Sequence, residues 1–75
     1  MNKLQLNFVM DKLGFEGERR EATKAIIRRG VSAYAAENMY GVSKGTANRD
    51  AIKCSEKWGE LLQDAQAVND LLISA

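Results

Sequence analysis

The feature that most constrains this chain is a series of apolar residues alternately four and three positions apart. The series comprises Ala47, Ala51, Cys54, Trp58, Leu61, Ala65, Val68 and Leu72. This spacing places every member on one stripe of an α-helix. We therefore predict either one long helix over about residues 43–73 or two helices with a break near residues 55–59, because Gly59 weakens a helix.

The apolar stripe has two interpretations, which are compatible with each other. The stripe can pack against the earlier helices of the same chain, or its distal part can form the seam of a homodimer. A chain this short buries a modest core by itself, and dimerisation is a common remedy. The predicted dimerisation tail covers about residues 56–73 and uses a heptad seam. Its seam residues are Trp58, Leu61, Ala65, Val68 and Leu72.

The N-terminal part of the chain predicts two further helices. The apolar face of the first is formed by Leu6, Val9, Met10 and Leu13, with Gly14 and Gly17 expected to close it. Residues 3–7 also alternate between polar and apolar, which leaves a short strand as the alternative. A second helix is predicted over residues 18–29, ending at Gly30, because its acidic residues come early and its arginines late, as the helix dipole favours.

The stretch MYGVSKGTANRD, residues 39–50, indicates a turn between the last two helices. Ser32 is placed to cap the third helix, which would end just before Gly41. Gly41 is expected to adopt the left-handed backbone conformation, which glycine adopts without a steric penalty. Ser43 would then cap the fourth helix. The chain is thus predicted to be a single all-α domain with a helix-turn-helix over about residues 32–53.

Charge is distributed unevenly along the chain. Residues 19–53 contain eight basic and three acidic side chains, whereas residues 54–75 contain one basic and four acidic side chains. This asymmetry favours an anion-facing centre and a separate role for the tail, although an ordinary solvated surface would also explain it. Within the basic part, Arg19 and Arg20 are expected to be merely solvated.

The fourth helix has the side chains that a DNA-reading helix needs. The side opposite Ala47 and Ala51 is slim and polar, which suits the major groove. Asparagine pairs with adenine, and lysine or arginine pairs with guanine, so Lys44, Asn48 and Arg49 are predicted to read bases. Further DNA contacts, mainly to phosphates, are predicted for Ser43, Thr46, Lys53, Ser32, Tyr34, Arg28 and Arg29.

These residues also carry a resemblance to a known family. The segment GVSAYAAENMYGVSKGTANRDAIK resembles the helix-turn-helix of bacterial, plasmid and phage regulators. The longer segment EATKAIIRRGVSAYAAENMYGVSKGTANRDAIKCSEKW is similar to the plasmid TrfB/KorA-type repressors and to the related PapB-type regulators. The matching parts are Gly30–Ser32, Ala35–Ala36, Gly41–Gly45 and Thr46–Lys53. The resemblance implies a homodimeric repressor of phage or plasmid type, which binds specific sequences of double-stranded DNA.

Two positions depart from the common pattern of such motifs. Glu37 stands four residues before Gly41, where alanine is usual, and Asp50 stands nine residues after it, where an apolar residue is usual. We expect Ala51 and Ile52 to take over the packing through a small rotation of the fourth helix. The alternative is that this helix is displaced.

Composition excludes several functional classes. The chain has no histidine and a single cysteine, so the commonest metal ligand and general base is missing and no intramolecular disulfide is possible. No apolar run approaches the ~20 residues that span a bilayer. Asp11 and Lys12 interrupt the apolar N-terminus too early for a secretory signal. We expect a cytoplasmic protein without membrane contact, metal ion, cofactor or enzymatic activity.

A second function is compatible with the same features. A small helical protein can keep a helix-turn-helix scaffold and use its polar helix and acidic tail to bind a host protein, as a modulator or inhibitor. The two functions differ in one simple property. Binding to duplex DNA releases counterions and weakens steeply with salt, which is the measurement that separates them.

Overall fold

Four α-helices follow one another in the computed structural model of the chain, which describes residues 1–74 and the side chains of residues 1–73. They are α1 (Lys3–Leu13), α2 (Gly17–Arg29), α3 (Ala33–Tyr40) and α4 (Thr46–Ser74). The predicted all-α class is confirmed, and the described residues contain no strand. Within this part of the chain, no helix is both long enough and apolar enough to cross a membrane.

Helix α1 forms where a short strand was the alternative, and its first residues explain why. The side chain of Asn2 accepts the backbone N–H of Gln5 at 2.8 Å, and the side chain of Gln5 accepts the backbone N–H of Asn2 at 2.9 Å. This reciprocal capping box satisfies two backbone donors that a helix start would otherwise leave unpaired. Leu6, Val9 and Met10 are then buried on one helical face, as predicted.

The turns around α3 also follow the predicted local chemistry. Ser32 caps α3, because its hydroxyl oxygen accepts the backbone N–H of Ala35 at 3.2 Å. Gly41 ends the helix with a φ angle of 66°, in the left-handed region. The backbone N–H groups of Gly41 and Val42 both donate to the carbonyl oxygen of Glu37. The turn that precedes α4 is therefore held by backbone hydrogen bonds as well as by the glycine.

Helix α4 differs from the prediction at its start and decides between the two alternatives for its length. It begins at Thr46 rather than at Ser43, so the expected cap by Ser43 is wrong. Residues 43–45 instead form a turn in which the Thr46 N–H donates to the Ser43 carbonyl at 3.1 Å. The helix continues without a break through Gly59, because its proximal half packs firmly enough on the domain to offset the low helix propensity of glycine.

The hydrophobic core has two parts, and α4 contributes to both. The larger side chains join α1 to α4 in a cluster of Leu6, Val9, Met10, Phe15 and Cys54, against which Trp58 and Leu61 pack. The smaller side chains join α2, α3 and α4 in a cluster of Ala22, Ala25, Ala36 and Ala47. Alanine at every position of the second cluster allows the helices of the helix-turn-helix to approach closely.

The apolar stripe of α4 is buried at one end and exposed at the other. Ala47 and Cys54 are fully buried, and Trp58 is half-buried. Further along the helix, Val68 is 57% exposed and Leu72 is 73% exposed. The molecule measures 51 × 20 × 19 Å, since the last turns of α4 extend beyond the packed helices. The stripe therefore packs internally as far as Leu61, and its distal part remains open to a partner.

We expect substitutions of Gly41 and Gly59 to have opposite effects on stability. Gly41→Val should lower the free energy of unfolding by about 1–3 kcal/mol, because a β-branched residue is strained at a positive φ angle. A Cβ added at either glycine meets no atom within 4 Å, so only the backbone conformation distinguishes the two sites. Gly59→Ala, inside α4, should raise stability by up to about 1 kcal/mol. Urea unfolding followed by circular dichroism measures both, and an unchanged Gly41→Val protein would contradict the left-handed turn.

Candidate nucleic-acid interface

The start of α4 presents one polar face to solvent. Ala47 and Ala51 point into the domain, whereas Asn48, Arg49 and Lys53 are exposed on the other side of the helix. Lys44, in the turn before the helix, is exposed as well. Asn48, Arg49 and Lys53 therefore share the exposed side of the first turns of α4, and Lys44 is exposed two residues before the helix begins. We call Lys44, Asn48, Arg49 and Lys53 the reading face.

Two details modify this surface. The Nε of Arg49 lies 3.4 Å from the carbonyl oxygen of Gly45, so the arginine lies along its own helix and has to turn outward to reach a base. Ile52 is 48% exposed beside the reading face and does not take over the core packing, contrary to the expectation. Ala51 is buried, as expected.

Asp50 is buried because it forms an ion pair with α2. Its side chain is 2% exposed, and both of its oxygens are engaged by Arg19: Nε donates to Oδ2 at 2.5 Å and Nη2 donates to Oδ1 at 2.9 Å. Two parallel hydrogen bonds of this kind fix orientation as well as distance. The apolar residue that usually stands at this position is thus replaced by a charged link between α2 and the reading helix.

Arg19 itself is held from a second side. Its guanidinium lies 4.4 Å from the centre of the Phe15 ring, in a cation–π arrangement. The hydrogen bonds to Asp50 raise the pKa of Arg19 above its usual value, against a smaller opposing effect of burial. Arg19 remains 44% exposed, so water still reaches the pair. The expectation that Arg19 is merely solvated is wrong, because Asp50 lies directly opposite it.

Arg20 is also more than a solvated residue. It donates to the carboxylate of Asp11 at 2.5 Å and to the carbonyl oxygen of Phe15 at 3.2 Å. These contacts join α2 to α1 and to the loop that follows α1. The prediction of simple solvation is therefore wrong for Arg20 too, since the carbonyl of Phe15 and the side chain of Asp11 are brought within its reach by the fold.

Glu37 has a specific partner as well. This carboxylate is buried in α3, and its Oε2 accepts the backbone N–H of Ala47 at 3.2 Å. The first N–H groups of any helix lack partners within that helix, and the positive end of the helix dipole favours a carboxylate there. Glu37 thus caps α4 from the neighbouring helix, a role that was predicted for Ser43.

The residues predicted to bind phosphates fall into two groups. Ser32, Tyr34 and Ser43 are exposed, and Thr46 is half-buried at the start of α4. The hydroxyl oxygen of Ser32 already accepts a backbone N–H, which leaves its proton for donation to a phosphate. Arg28 and Arg29 are exposed near the end of α2, where they line a separate pocket together with Lys3, Lys24 and Tyr40.

Sequence reasoning missed the two buried carboxylates that orient the reading helix. Glu37 and Asp50 were noticed as departures from the usual pattern, but their partners were not found. Arg19 precedes Asp50 by 31 residues, and no local spacing connects them. The available signal was the pairing rule itself, because an acidic residue at a core position demands a positive or N–H partner on an adjacent helix.

Cys54 lies in the core one turn after Asp50, and its thiol is buried. Burial, with a smaller contribution from the charge of Asp50, raises the pKa of its thiol to about 11. Because the thiolate is the reactive form, this cysteine stays protonated and unreactive near neutral pH. Its role in the structure is to fill space between α1 and α4.

Comparison with known proteins identifies no family for this chain. No protein-family model, no curated protein and no solved structure matches the chain. The functional proposal therefore rests on three features of the structure. These are the chemistry of the reading face, its orientation by Arg19 and Glu37, and the exposed end of α4.

Removing Arg19 should destabilise the protein more than neutralising Asp50. Arg19→Gln leaves a buried carboxylate without its partner and should lower the free energy of unfolding by about 2–3 kcal/mol, somewhat less than is typical of fully buried pairs, since Arg19 is partly exposed. Asp50→Asn should have a smaller effect, because Arg19 can then turn into solvent.

The matched control is Lys57→Gln, which removes an exposed ion pair with Glu60. This variant should change stability by less than about 1 kcal/mol. Chemical denaturation of all three variants measures the differences. Equal stabilities of Arg19→Gln and Lys57→Gln would show that the Arg19–Asp50 pair does not hold α4.

Proposed function

We propose that the protein is a DNA-binding transcriptional regulator that reads specific sequences of double-stranded DNA as a homodimer. The observation that carries this proposal is the reading face: Lys44, Asn48, Arg49 and Lys53 are exposed together on the accessible side of α4 and the turn before it. Within the described chain, none of the three cations forms an ion pair with a carboxylate. Their charge is therefore free to meet the anionic backbone of a nucleic acid.

The side chains of the reading face match the chemistry of the major groove. The amide of Asn48 can form two hydrogen bonds with adenine, and Arg49 and Lys44 can donate to the O6 and N7 atoms of guanine. Lys53 lies one turn beyond Arg49, where it is suited to a phosphate of the flanking backbone. A single helix fits the major groove, which is about 12 Å wide.

The ion pair and the cap support the same proposal, because a reading helix must be held in one orientation. Asp50 and Arg19 tie the inner side of α4 to α2, and Glu37 ties its first turn to α3. Side chains supported by such contacts present their groups with less conformational freedom. The resemblance to plasmid and phage repressors of the TrfB/KorA type adds the expectation of a repressor, in which bound protein blocks transcription.

The exposed end of α4 supports the homodimer. Leu62, Val68, Leu71, Leu72 and Ile73 are all large apolar side chains that are more than half exposed. Val68 and Leu72 continue the buried stripe of Ala47 and Cys54 beyond the domain, so a second copy would extend the same helix packing. A two-fold dimer would place two reading faces on successive turns of the DNA, at half-sites about 34 Å apart or a multiple of that distance.

The second function, binding of a host protein as a modulator or inhibitor, would use the same exposed end. The observation that favours it is the apolar surface of the last turns of α4, which a different protein could cover. The two functions are separated by DNA binding and by self-association. If the protein is a monomer and does not bind duplex DNA at low salt, the result would favour the second function, binding of a host protein.

Single substitutions on the reading face should weaken DNA binding in two distinguishable ways. Asn48→Ala and Arg49→Ala should each weaken binding to the selected site by about 1–3 kcal/mol and relax the preference at one base position. Lys53→Ala should weaken binding to every sequence and reduce the salt slope by about one. Fluorescence anisotropy at several salt concentrations, on a duplex obtained by sequence selection, measures both effects.

The matched control is Lys12→Ala, which removes an exposed cation from α1, away from the reading face. Its affinity for DNA should be nearly unchanged. The three variants of the reading face should keep the stability of the parent protein to within about 0.5 kcal/mol, because they are exposed. Lys12→Ala also loses a cation–π contact with Phe8 and should cost at most about 1 kcal/mol. Absence of duplex binding by the unmodified protein at low salt, over a random pool of sequences, would refute the proposal.

Charges on the exposed end of α4 should separate the subunits without unfolding them. Val68→Asp combined with Leu72→Asp should give a monomer, since both positions lie on the proposed seam and outside the core. Leu61 is less suitable for this test because it packs against the core. Gln63→Asp, at an exposed position on the opposite side of the same helix, should remain dimeric. Sedimentation velocity measures the oligomeric state of each variant. A monomeric unmodified protein would contradict the proposed dimer.

A further inference from the structure

A basic pocket lies between the ends of three helices, apart from the surfaces discussed so far. It is open to solvent, has a volume of about 320 Å³ and is lined by side chains of α1, α2 and α3. We call it the basic pocket. Its charged and polar lining consists of Lys3, Lys24, Arg28, Arg29, Tyr40 and Glu21.

The charges around the basic pocket are unbalanced. Four cations face one carboxylate, and the contact between Lys24 Nζ and Glu21 Oε1 is a loose one of 3.8 Å. Like charges that are held near one another repel, and an anion between them relieves the repulsion. The lining therefore carries an excess of positive charge, which favours an anion over a cation as its ligand.

Helix chemistry alone explains part of this cluster but not the whole. Arg28 and Arg29 are in the last turn of α2, where the helix dipole favours cations. Lys24 lies in the middle of α2, and Lys3 comes from the first turn of α1, where the dipole disfavours a cation. The helix dipole therefore does not explain either lysine, and Lys24 has only the loose ion pair with Glu21 on its own helix.

The basic pocket is distinct from the reading face. Arg19 points from α2 to Asp50 of α4. Lys24 follows Arg19 by five positions, which is about 140° around a helix. The charged lining of the pocket therefore lies on a different side of α2 from Arg19, and the pocket shares no side chain with the reading face.

We propose that the basic pocket binds a small molecule that carries a phosphate group and is about the size of a mononucleotide. Guanidinium groups of Arg28 and Arg29 provide forked donors for phosphate oxygens, and Lys3 and Lys24 add point charges. The hydroxyl of Tyr40, which lies 3.3 Å from Arg29 Nη1, adds a polar group at one wall. The volume corresponds to about ten water molecules, more than a phosphate ion needs and near the lower end of small-molecule sites.

The test uses the full chain without DNA, so it does not depend on the proposed function. Adenosine monophosphate is titrated into the protein by calorimetry at an ionic strength of about 0.15 M, which screens diffuse attraction. Adenosine is the control without phosphate. We expect saturable binding of the monophosphate that is at least about tenfold tighter than that of adenosine, because charge-assisted hydrogen bonds to the phosphate provide most of the affinity.

Variants assign the binding to the basic pocket. Lys24→Gln and Arg28→Gln should each weaken binding of the monophosphate about tenfold, since each removes a charged donor. Lys53→Gln, an equally neutralising change on the reading face, should leave it unchanged. Circular dichroism identifies any variant that fails to fold, and Tyr40→Phe, which removes only a hydroxyl, then serves as the milder substitution and should weaken binding by a smaller factor.

Three results would overturn the proposal. The first is equal binding of adenosine and the monophosphate, which would show that phosphate is not recognised. The second is an equal loss of binding in Lys53→Gln, which would indicate attraction by net charge. The third is failure of the monophosphate to bind, together with a loss of duplex binding in Lys24→Gln that is as large as the loss in Lys53→Gln. This result would show that the pocket binds the DNA backbone instead.

Discussion

The ion pair between Arg19 and Asp50 is the interaction on which the orientation of the longest helix depends. Asp50 occupies a core position, and a carboxylate there is tolerated only because Arg19 engages both of its oxygens. Two parallel hydrogen bonds restrict the relative orientation of the two side chains. The pair therefore connects α2 to α4, and together with buried Ala47, Ala51 and Cys54 it fixes which side of α4 faces solvent.

A second consequence follows from the continuity of α4. One unbroken helix carries the reading face at its start and the exposed apolar stripe at its end. Any orientation that the helix-turn-helix imposes on the first turns is transmitted to the last turns, because a helix is rigid over this length. In the proposed dimer, the distance between two reading faces would thus be set by how the ends of two such helices pair.

Local chemistry was sufficient for the elements and turns. The caps at Ser32 and Gly41, and the helical spacing of Leu6 to Leu13, depend on neighbours within a few residues, and all three were predicted correctly. The start of α4 was predicted incorrectly at Ser43. Its actual cap acceptor, Glu37, comes from α3, and only the packing of α3 against α4 brings that carboxylate to the N–H of Ala47.

The sequence alone was enough to establish an all-α chain with a glycine turn and a polar fourth helix, because periodicity and caps are properties of short segments. Tertiary structure decided where the stripe of α4 stops being core, which basic residues are engaged and which are free. Arg19 and Arg49 are the same residue type, but Arg19 is held by both oxygens of Asp50, whereas Arg49 is exposed and donates only to the nearby backbone carbonyl of Gly45. That difference arises from contacts between residues distant in sequence, and such contacts depend on how the helices pack rather than on local spacing.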